Sequence, residues 1–195
     1  MGYQYDIFLS YPRQGAIGAW VRELLHPTLV AQYPDQCEPT YGGVFFDEEL
    51  ERGGVLPDRL AHALTGSAVM LAVWSPRYFS RDWCTAEWRS MLARERDLHL
   101  PTANGPALVY PLVYGDGDDF PEPARQTLQQ RCFRRHAHLS KQAPGDVAMN
   151  TFRADVIELC QDLARWVHAA PAWQDGFPIE PPQSKPMKWR NPSSL

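Results

Sequence analysis

The feature that most constrains the fold is an almost wholly apolar run, Ala-Val-Met-Leu-Ala-Val-Trp, at residues 68–74. A strand with apolar side chains on both faces must be covered on both faces, which is typical of the interior of a parallel sheet. Further apolar segments occur at residues 5–9, 44–46 and 107–114, with helical patterns between them. Strands that alternate with helices predict an α/β domain in which helices cover both sides of a parallel sheet.

Four segments carry apolar residues at helical spacing: 17–25, 56–64, 83–97 and 152–167. Pro27 is expected to interrupt the first of these helices, and Asp82 to cap the third.

Two features bear on the edge of the sheet. Residues 134–139 are a candidate for a short fifth strand. Pro111 cannot donate a ladder hydrogen bond, which favours an edge, a bulge or a strand end for its segment over the centre of the sheet.

Composition limits the function classes. The net charge is −4 and the basic residues form no long run, so we expect no direct binding of nucleic acid and no binding to a membrane. The first residues do not resemble a signal peptide, and no apolar run approaches the ~18 residues that span a bilayer. The four cysteines are widely spaced without a CxxC pair, which favours separate reduced thiols. These features predict a soluble, cytoplasmic protein.

The chain is expected to form one domain over residues 3–170. Residues 171–195 contain six prolines and no apolar periodicity, so they are predicted to be an extended tail or a linker.

In an open parallel sheet, ligands bind beyond the carboxyl ends of the strands, where the strand order reverses. Residues 10–18 follow one such end, and here Gly15 and Gly18 permit backbone amides to approach a phosphate while Arg13 adds positive charge. The segment matches neither GxGxxG nor a P-loop, so an ordinary turn stays the alternative. Residues 47–54 are acidic and glycine-ended; they fit a solvated loop better than a metal site, because no His or Cys joins them at ligand spacing.

The third such segment, residues 75–87, contains Trp83 and Glu87 on one face of a predicted helix, since they are four residues apart. One interpretation packs Trp83 on the sheet and leaves Glu87 as a surface charge. The other places both side chains over the crevice at the carboxyl end of the preceding strand. The spacing supports both equally.

Together these segments resemble the Toll/interleukin receptor (TIR) domain over residues 3–167. Tyr-Asp-Ile-Phe-Leu-Ser-Tyr at residues 5–11 looks like the first strand of that family, and residues 44–54 look like its second strand and its BB loop. The most specific segment is the apolar strand followed by the pattern S-x-x-(Y/F)-x-x-S-x-W-C-x-x-E. The residues that fall on this pattern are Ser75, Tyr78, Trp83, Cys84 and Glu87.

The resemblance implies a flavodoxin-like three-layer fold, with a five-stranded parallel sheet in the order 2-1-3-4-5. It also implies an enzyme, because some TIR domains cleave NAD+ at the bond between nicotinamide and ribose, and the glutamate of this motif is the catalytic residue in them. That catalytic glutamate is Glu87 here. NAD+ would be the substrate, so no cofactor and no metal are expected, and the product would be ADP-ribose or a cyclic ADP-ribose.

Further roles follow from the same resemblance. Trp83 and Tyr11 are expected to stack on the nicotinamide or a base, Ser10 and Arg13 to contact ribose or phosphate, and Asp47 to shape the pocket. The family also implies self-assembly through TIR–TIR contacts, a possible sensor module or partner protein, and a role in antiviral or innate immune defence.

Two rival hypotheses remain. In the first, the chain is a non-catalytic TIR scaffold that acts through homotypic contacts, with Glu87 a charge on the helix surface. In the second, it is a flavodoxin-like base-exchange or deoxyribosyl-transfer enzyme that uses the same carboxylate on another nucleoside.

Overall fold

The structure, a computed structural model of the chain, describes residues 2–47, 58–100, 107–115, 117–118, 120–126, 131–140 and 146–182. The described strands are β1 (Tyr5–Ser10), β2 (Val44–Phe45), β3 (Ser67–Trp74), β4 (Val109–Val113) and β5 (Arg131–Cys132). They form one parallel sheet in the order β2-β1-β3-β4-β5, which confirms the predicted flavodoxin-like arrangement. Every residue of β3 is buried, as its apolar run predicts.

Helices connect the strands. α1 (Gly15–Trp20) continues through a π-helical turn (Val21–Leu25) into α2 (His26–Gln36). The later helices are α3 (Asp58–Thr65), α4 (Pro76–Phe79), α5 (Asp82–Asp97), α6 (Glu122–Gln126) and α7 (Asp146–Ala169). Within the described ranges, none of these helices has the length and apolar character needed to cross a bilayer.

Two apolar cores lie on opposite faces of the sheet, because successive side chains of a strand point to opposite faces. Leu9 of β1 and Leu71 of β3 pack with α1, α2 and α7. Their neighbours Phe8 and Met70 pack on the other face with α3, α4 and α5. Burial of each side chain of this size contributes about 1.5–3 kcal/mol to the free energy of folding. The alternation of apolar side chains along the strands therefore determines which helices pack on each face of the sheet.

The fifth strand differs from its predicted location. β5 is Arg131–Cys132, and Arg134–His136 forms a 3-10 turn, so the prediction of a strand over residues 134–139 is wrong. The carbonyl oxygen of His136 accepts a hydrogen bond from the Trp20 indole at 2.9 Å, which holds this segment against the helical layer.

Two prolines also behave differently from their predictions. Pro27 does not interrupt the first helix, because the π-helical turn directly before it widens the backbone where a proline ring would otherwise clash with a preceding carbonyl. Pro111 lies in the middle of β4, which has a strand on each side and pairs with β3 in an unbroken register, so the prediction of an edge, a bulge or a strand end is wrong. In the described part of β5, the pairing begins only after Pro111, at Leu112 and Val113.

Residues 171–182, named the C-terminal strap here, contain no helix or strand and lie against the domain. At one end the Tyr3 hydroxyl donates to the Pro171 carbonyl at 2.8 Å. At the other end the Glu180 amide donates to the Ser90 hydroxyl of α5 at 2.8 Å. The strap therefore runs from the end of α7 to α5, while the division of the chain near residue 170 into domain and tail stays a prediction.

Phe177 anchors the middle of the strap. The Arg94 guanidinium carbon lies 3.8 Å from the centroid of the Phe177 ring. We expect Phe177→Ala to lower the free energy of unfolding by about 2 kcal/mol, because it removes the cation–π contact with Arg94 and the packing of the ring against the core that contains α7. Urea denaturation measures this loss, and the exposed strap residue Gln174, changed to alanine, is the control, with an effect within about 0.5 kcal/mol. Equal stability of the two variants would show that the strap is not bound in solution.

Candidate active site

The site lies at the carboxyl ends of β1 and β3, which are neighbours in the sheet with Ser10 opposite Ala72. The strand order reverses between β1 and β3, and such switch points are where open α/β sheets bind ligands. Ser10 is the last residue of β1. Ser75 directly follows β3 and begins α4, so two chain segments enter the crevice from adjacent strands.

Glu87 lies near the start of α5 and is 4% exposed. Its Oε2 accepts a hydrogen bond of 2.6 Å from the Ser10 hydroxyl, across 77 residues of sequence. The interpretation of Glu87 as a helix-surface charge is therefore wrong. Burial of a carboxylate is costly unless hydrogen bonds compensate, so its place beside the switch point requires partners such as Ser10.

Trp83 lies one turn before Glu87 on α5. Its side chain is partly buried and packs against the core beneath α3, α4 and α5. Arg81 occupies the N-cap position and Asp82 lies within the first turn, so the prediction that Asp82 caps the helix is wrong by one residue. An acidic side chain in the first turn still favours the helix through its dipole. Trp83 thus has a packing role, and its partial exposure leaves part of the ring open to the surroundings.

A second group joins the β1 end to the β2 end. Arg13 and Asp47 form an ion pair of 3.2 Å, and each side chain is 13% exposed. The Tyr11 hydroxyl donates to the Asp47 carbonyl at 3.2 Å. Burial raises the pKa of Tyr11 to about 12, so its hydroxyl stays protonated near neutral pH. The structure thus brings together three of the predicted site residues, while residues 48–54 of the predicted acidic loop lie outside the described residues.

Two aromatic residues beside this group were not predicted from the sequence as part of the site. Phe46 stacks on the Tyr11 ring, with centroids 5.4 Å apart and planes 14° apart. His26 stacks on Phe46, with centroids 3.8 Å apart. The signal for Phe46 was its place directly before Asp47, at the end of a strand. No sequence pattern points to His26, because only the folding of the chain brings this first residue of α2 against Phe46.

The two glycines of the first loop have different physical roles. Gly15 adopts a φ of +80°, which favours glycine. At Gly18, an added Cβ would lie 2.2 Å from the Arg13 carbonyl oxygen. The close packing of α1 against the loop that contains Arg13 therefore explains why residue 18 is a glycine, and this explanation requires no phosphate site.

We expect Gly18→Ala to lower the free energy of unfolding by about 3 kcal/mol, because backbone must shift to admit the methyl group. Thermal and urea denaturation measure the loss. Ala16→Ser, at an exposed position of the same helix, is the matched control and should change stability by less than about 0.5 kcal/mol. A fully stable Gly18→Ala variant would contradict the close approach of α1 to the loop.

Among the described residues, no group of three or more His, Cys, Asp or Glu side chains is arranged to hold a metal ion.

The fold and this site define a flavodoxin-like α/β protein with a buried carboxylate at its switch-point crevice. The sequence profile described as "TIR domain" matches residues 7–143, and the chain belongs to the TIR domain family. Among solved structures, the TIR domains of the activated Roq1 resistosome, described as directly recognising the pathogen effector XopQ, are similar. They share 20% identity at a TM-score of 0.39, over 85% of this chain and 80% of that one. No curated protein matches the chain.

Proposed function

We propose that the protein is an NAD+ nucleosidase that cleaves the bond between nicotinamide and ribose. Attack of water on the ribose carbon gives nicotinamide and ADP-ribose, whereas attack by a nucleophilic atom of the same ADP-ribosyl group gives nicotinamide and a cyclic ADP-ribose. The observation that carries this proposal is the buried Glu87 carboxylate beside the end of β1, in a TIR-family chain whose W-C-x-x-E motif supplies it.

The chemistry suits a single carboxylate. Cleavage of an N-glycosidic bond develops positive charge on the ribose, as in other glycoside hydrolyses. Nicotinamide leaves as a neutral molecule, so its departure requires no general acid. A carboxylate held close to the sugar stabilises the developing charge and orients the ribose hydroxyls. Because Glu87 is buried, little reorganisation is needed when the charge develops.

We assign the other predicted residues to the remaining parts of the substrate. Trp83 offers a partly exposed aromatic ring for stacking on nicotinamide or adenine, whereas the Tyr11 ring is buried and already stacks on Phe46. Arg13 supplies positive charge for the phosphates, and its ion pair with Asp47 holds the ends of β1 and β2 together. Ser10 contacts Glu87, which supports a role at the ribose end of the pocket. NAD+ is the substrate and the reaction as proposed uses no cofactor or metal.

The setting is part of the same proposal. We infer that the protein acts in the cytoplasm, in antiviral or innate immune defence, and that it self-assembles through TIR–TIR contacts, with a sensor module or partner protein as a possible activator.

The experiment is an NAD+ cleavage assay across a wide range of protein concentration, with and without a crowding agent, with chromatographic separation of the products. We expect nicotinamide to form at a rate per molecule that rises as the protein assembles. The retention of the second product distinguishes linear from cyclic ADP-ribose. If assembled protein, verified by light scattering, leaves NAD+ intact, the scaffold hypothesis replaces this proposal.

A further inference from the structure

Three buried side chains form a hydrogen-bonded chain beneath the crevice. The Tyr78 hydroxyl lies 2.8 Å from the Ser10 hydroxyl, which lies 2.6 Å from Oε2 of Glu87. Their exposed fractions are 0%, 1% and 4% in that order. The three residues come from α4, β1 and α5, so the chain joins the three elements that border the switch point.

The direction of these hydrogen bonds follows from the number of protons. An ionised carboxylate only accepts, so Ser10 donates its single hydroxyl proton to Glu87. The Tyr78 hydroxyl must then donate to the Ser10 oxygen. Burial, together with the nearby Cys84 and Glu87, raises the pKa of Tyr78 well above its ordinary value, so this donor keeps its proton.

Tyr78 is itself held rigidly. Its backbone amide donates to the Ser75 hydroxyl at 3.2 Å and to the Ser75 carbonyl at 2.9 Å, which caps the single turn of α4. Its ring contacts Phe79 edge-on, with centroids 5.2 Å apart. A short, capped helix thus places one hydroxyl against Ser10, where the chain needs a donor.

We propose that Tyr78 is a positioning residue for the candidate catalytic carboxylate, acting through Ser10. This inference rests on the proposed function. Tyr78 orients the lone pairs of Ser10, and Ser10 holds Oε2 of Glu87 in one direction before substrate arrives. In this role Ser10 acts through Glu87. Preorganisation of this kind lowers the barrier of the chemical step more than it strengthens substrate binding.

The first test needs no activity. Unfolding of the parent protein, Tyr78→Phe, Glu87→Ala, which removes the acceptor of the Ser10 hydroxyl, and the double variant gives a double-mutant cycle. We expect the two sites to be coupled about three- to tenfold in the unfolding equilibrium constant, although Tyr78 reaches Glu87 only through Ser10. Tyr110→Phe is the control, since Tyr110 is a buried tyrosine of the other core whose hydroxyl donates to the partly buried Asp162 carboxylate at 2.7 Å. The cycle of Tyr110 with Glu87 should be additive. Additive behaviour of Tyr78 with Glu87 would overturn the proposal.

The second test measures NAD+ cleavage. We expect Tyr78→Phe to lower kcat about five- to tenfold with little change in KM, while Tyr110→Phe keeps the parent value. Ser10→Ala should lower kcat at least as far, and Ser10→Thr, which retains the hydroxyl, should recover part of the loss. An unchanged kcat for Tyr78→Phe in an active parent protein would overturn the positioning role. A parent protein that releases no nicotinamide overturns the proposed function instead, and the unfolding cycle alone then decides whether the hydrogen-bonded chain exists.

Discussion

Replacing Arg94 with alanine is expected to lower the free energy of unfolding by about 3–5 kcal/mol. Arg94 is 1% exposed on α5 and its Nη1 donates to the Ser67 carbonyl at 2.9 Å. Its Nη2 donates to the Tyr3 hydroxyl, which in turn donates to the start of the strap, and its plane lies under Phe177. The alanine variant removes the donor to the Ser67 carbonyl and the Tyr3 hydroxyl, opens a cavity and releases the strap at Phe177.

Burial lowers the pKa of Arg94, yet a guanidinium remains charged at any pH at which the protein is folded. The stability of the parent protein already includes the cost of burying the guanidinium charge, and methionine fills much of the same space without that cost. We therefore expect Arg94→Met to lower the free energy of unfolding by about 1–2 kcal/mol, less than Arg94→Ala. Arg96→Ala, at an exposed position on the same helix, is the control and should stay within about 0.5 kcal/mol. Urea denaturation compares the four proteins. A loss below about 1 kcal/mol for Arg94→Ala would mean that this part of α5 is hydrated in solution.

The main strands of the sheet could be predicted because their burial requires runs of apolar residues in the sequence. The run at residues 68–74 lies within β3 at the centre of the sheet, where both faces are covered. β5 was misplaced because a two-residue strand, Arg131–Cys132, has no apolar periodicity to detect. The strap was predicted only as an extended tail or linker, although Trp173 and Phe177 were apolar signals within it. Their partners, Thr65 and Arg94, are distant in sequence.

The sequence predicted which chain segments form the site, but not which side chains contact each other within it. Knowledge that ligands bind beyond the carboxyl ends of parallel strands selected the loop after β1 and the helix after β3. The hydrogen bond between Ser10 and Glu87 depends on the adjacency of β1 and β3 and on the packing of α5, which no local pattern encodes. The spacing of Trp83 and Glu87 predicted a shared helix face, while the burial of Glu87 appeared only in the folded chain.

Replacing Glu87 with glutamine is expected to reduce the rate of nicotinamide release by at least about a hundredfold. Glutamine has nearly the same size as glutamate and keeps a side-chain oxygen that accepts from Ser10, so the hydrogen-bonded chain can persist. The variant removes the negative charge that faces the developing positive charge on ribose. A preorganised electrostatic contact of this kind contributes about 3–4 kcal/mol to transition-state stabilisation. The loss should therefore appear in kcat, with NAD+ affinity largely retained.

Asp97→Asn provides the matched control, because it removes one carboxylate charge from the exposed end of the same helix. Circular dichroism and the urea midpoint verify that both variants are folded before activity is compared.

The most direct measurement is the rate of nicotinamide release from NAD+ by the assembled parent protein, Glu87→Gln and Asp97→Asn under identical conditions. We predict full activity in the parent and in Asp97→Asn, and a rate at least about a hundredfold lower in folded Glu87→Gln. A folded Glu87→Gln protein that releases nicotinamide at the parent rate would contradict the assignment of the buried carboxylate as the catalytic group.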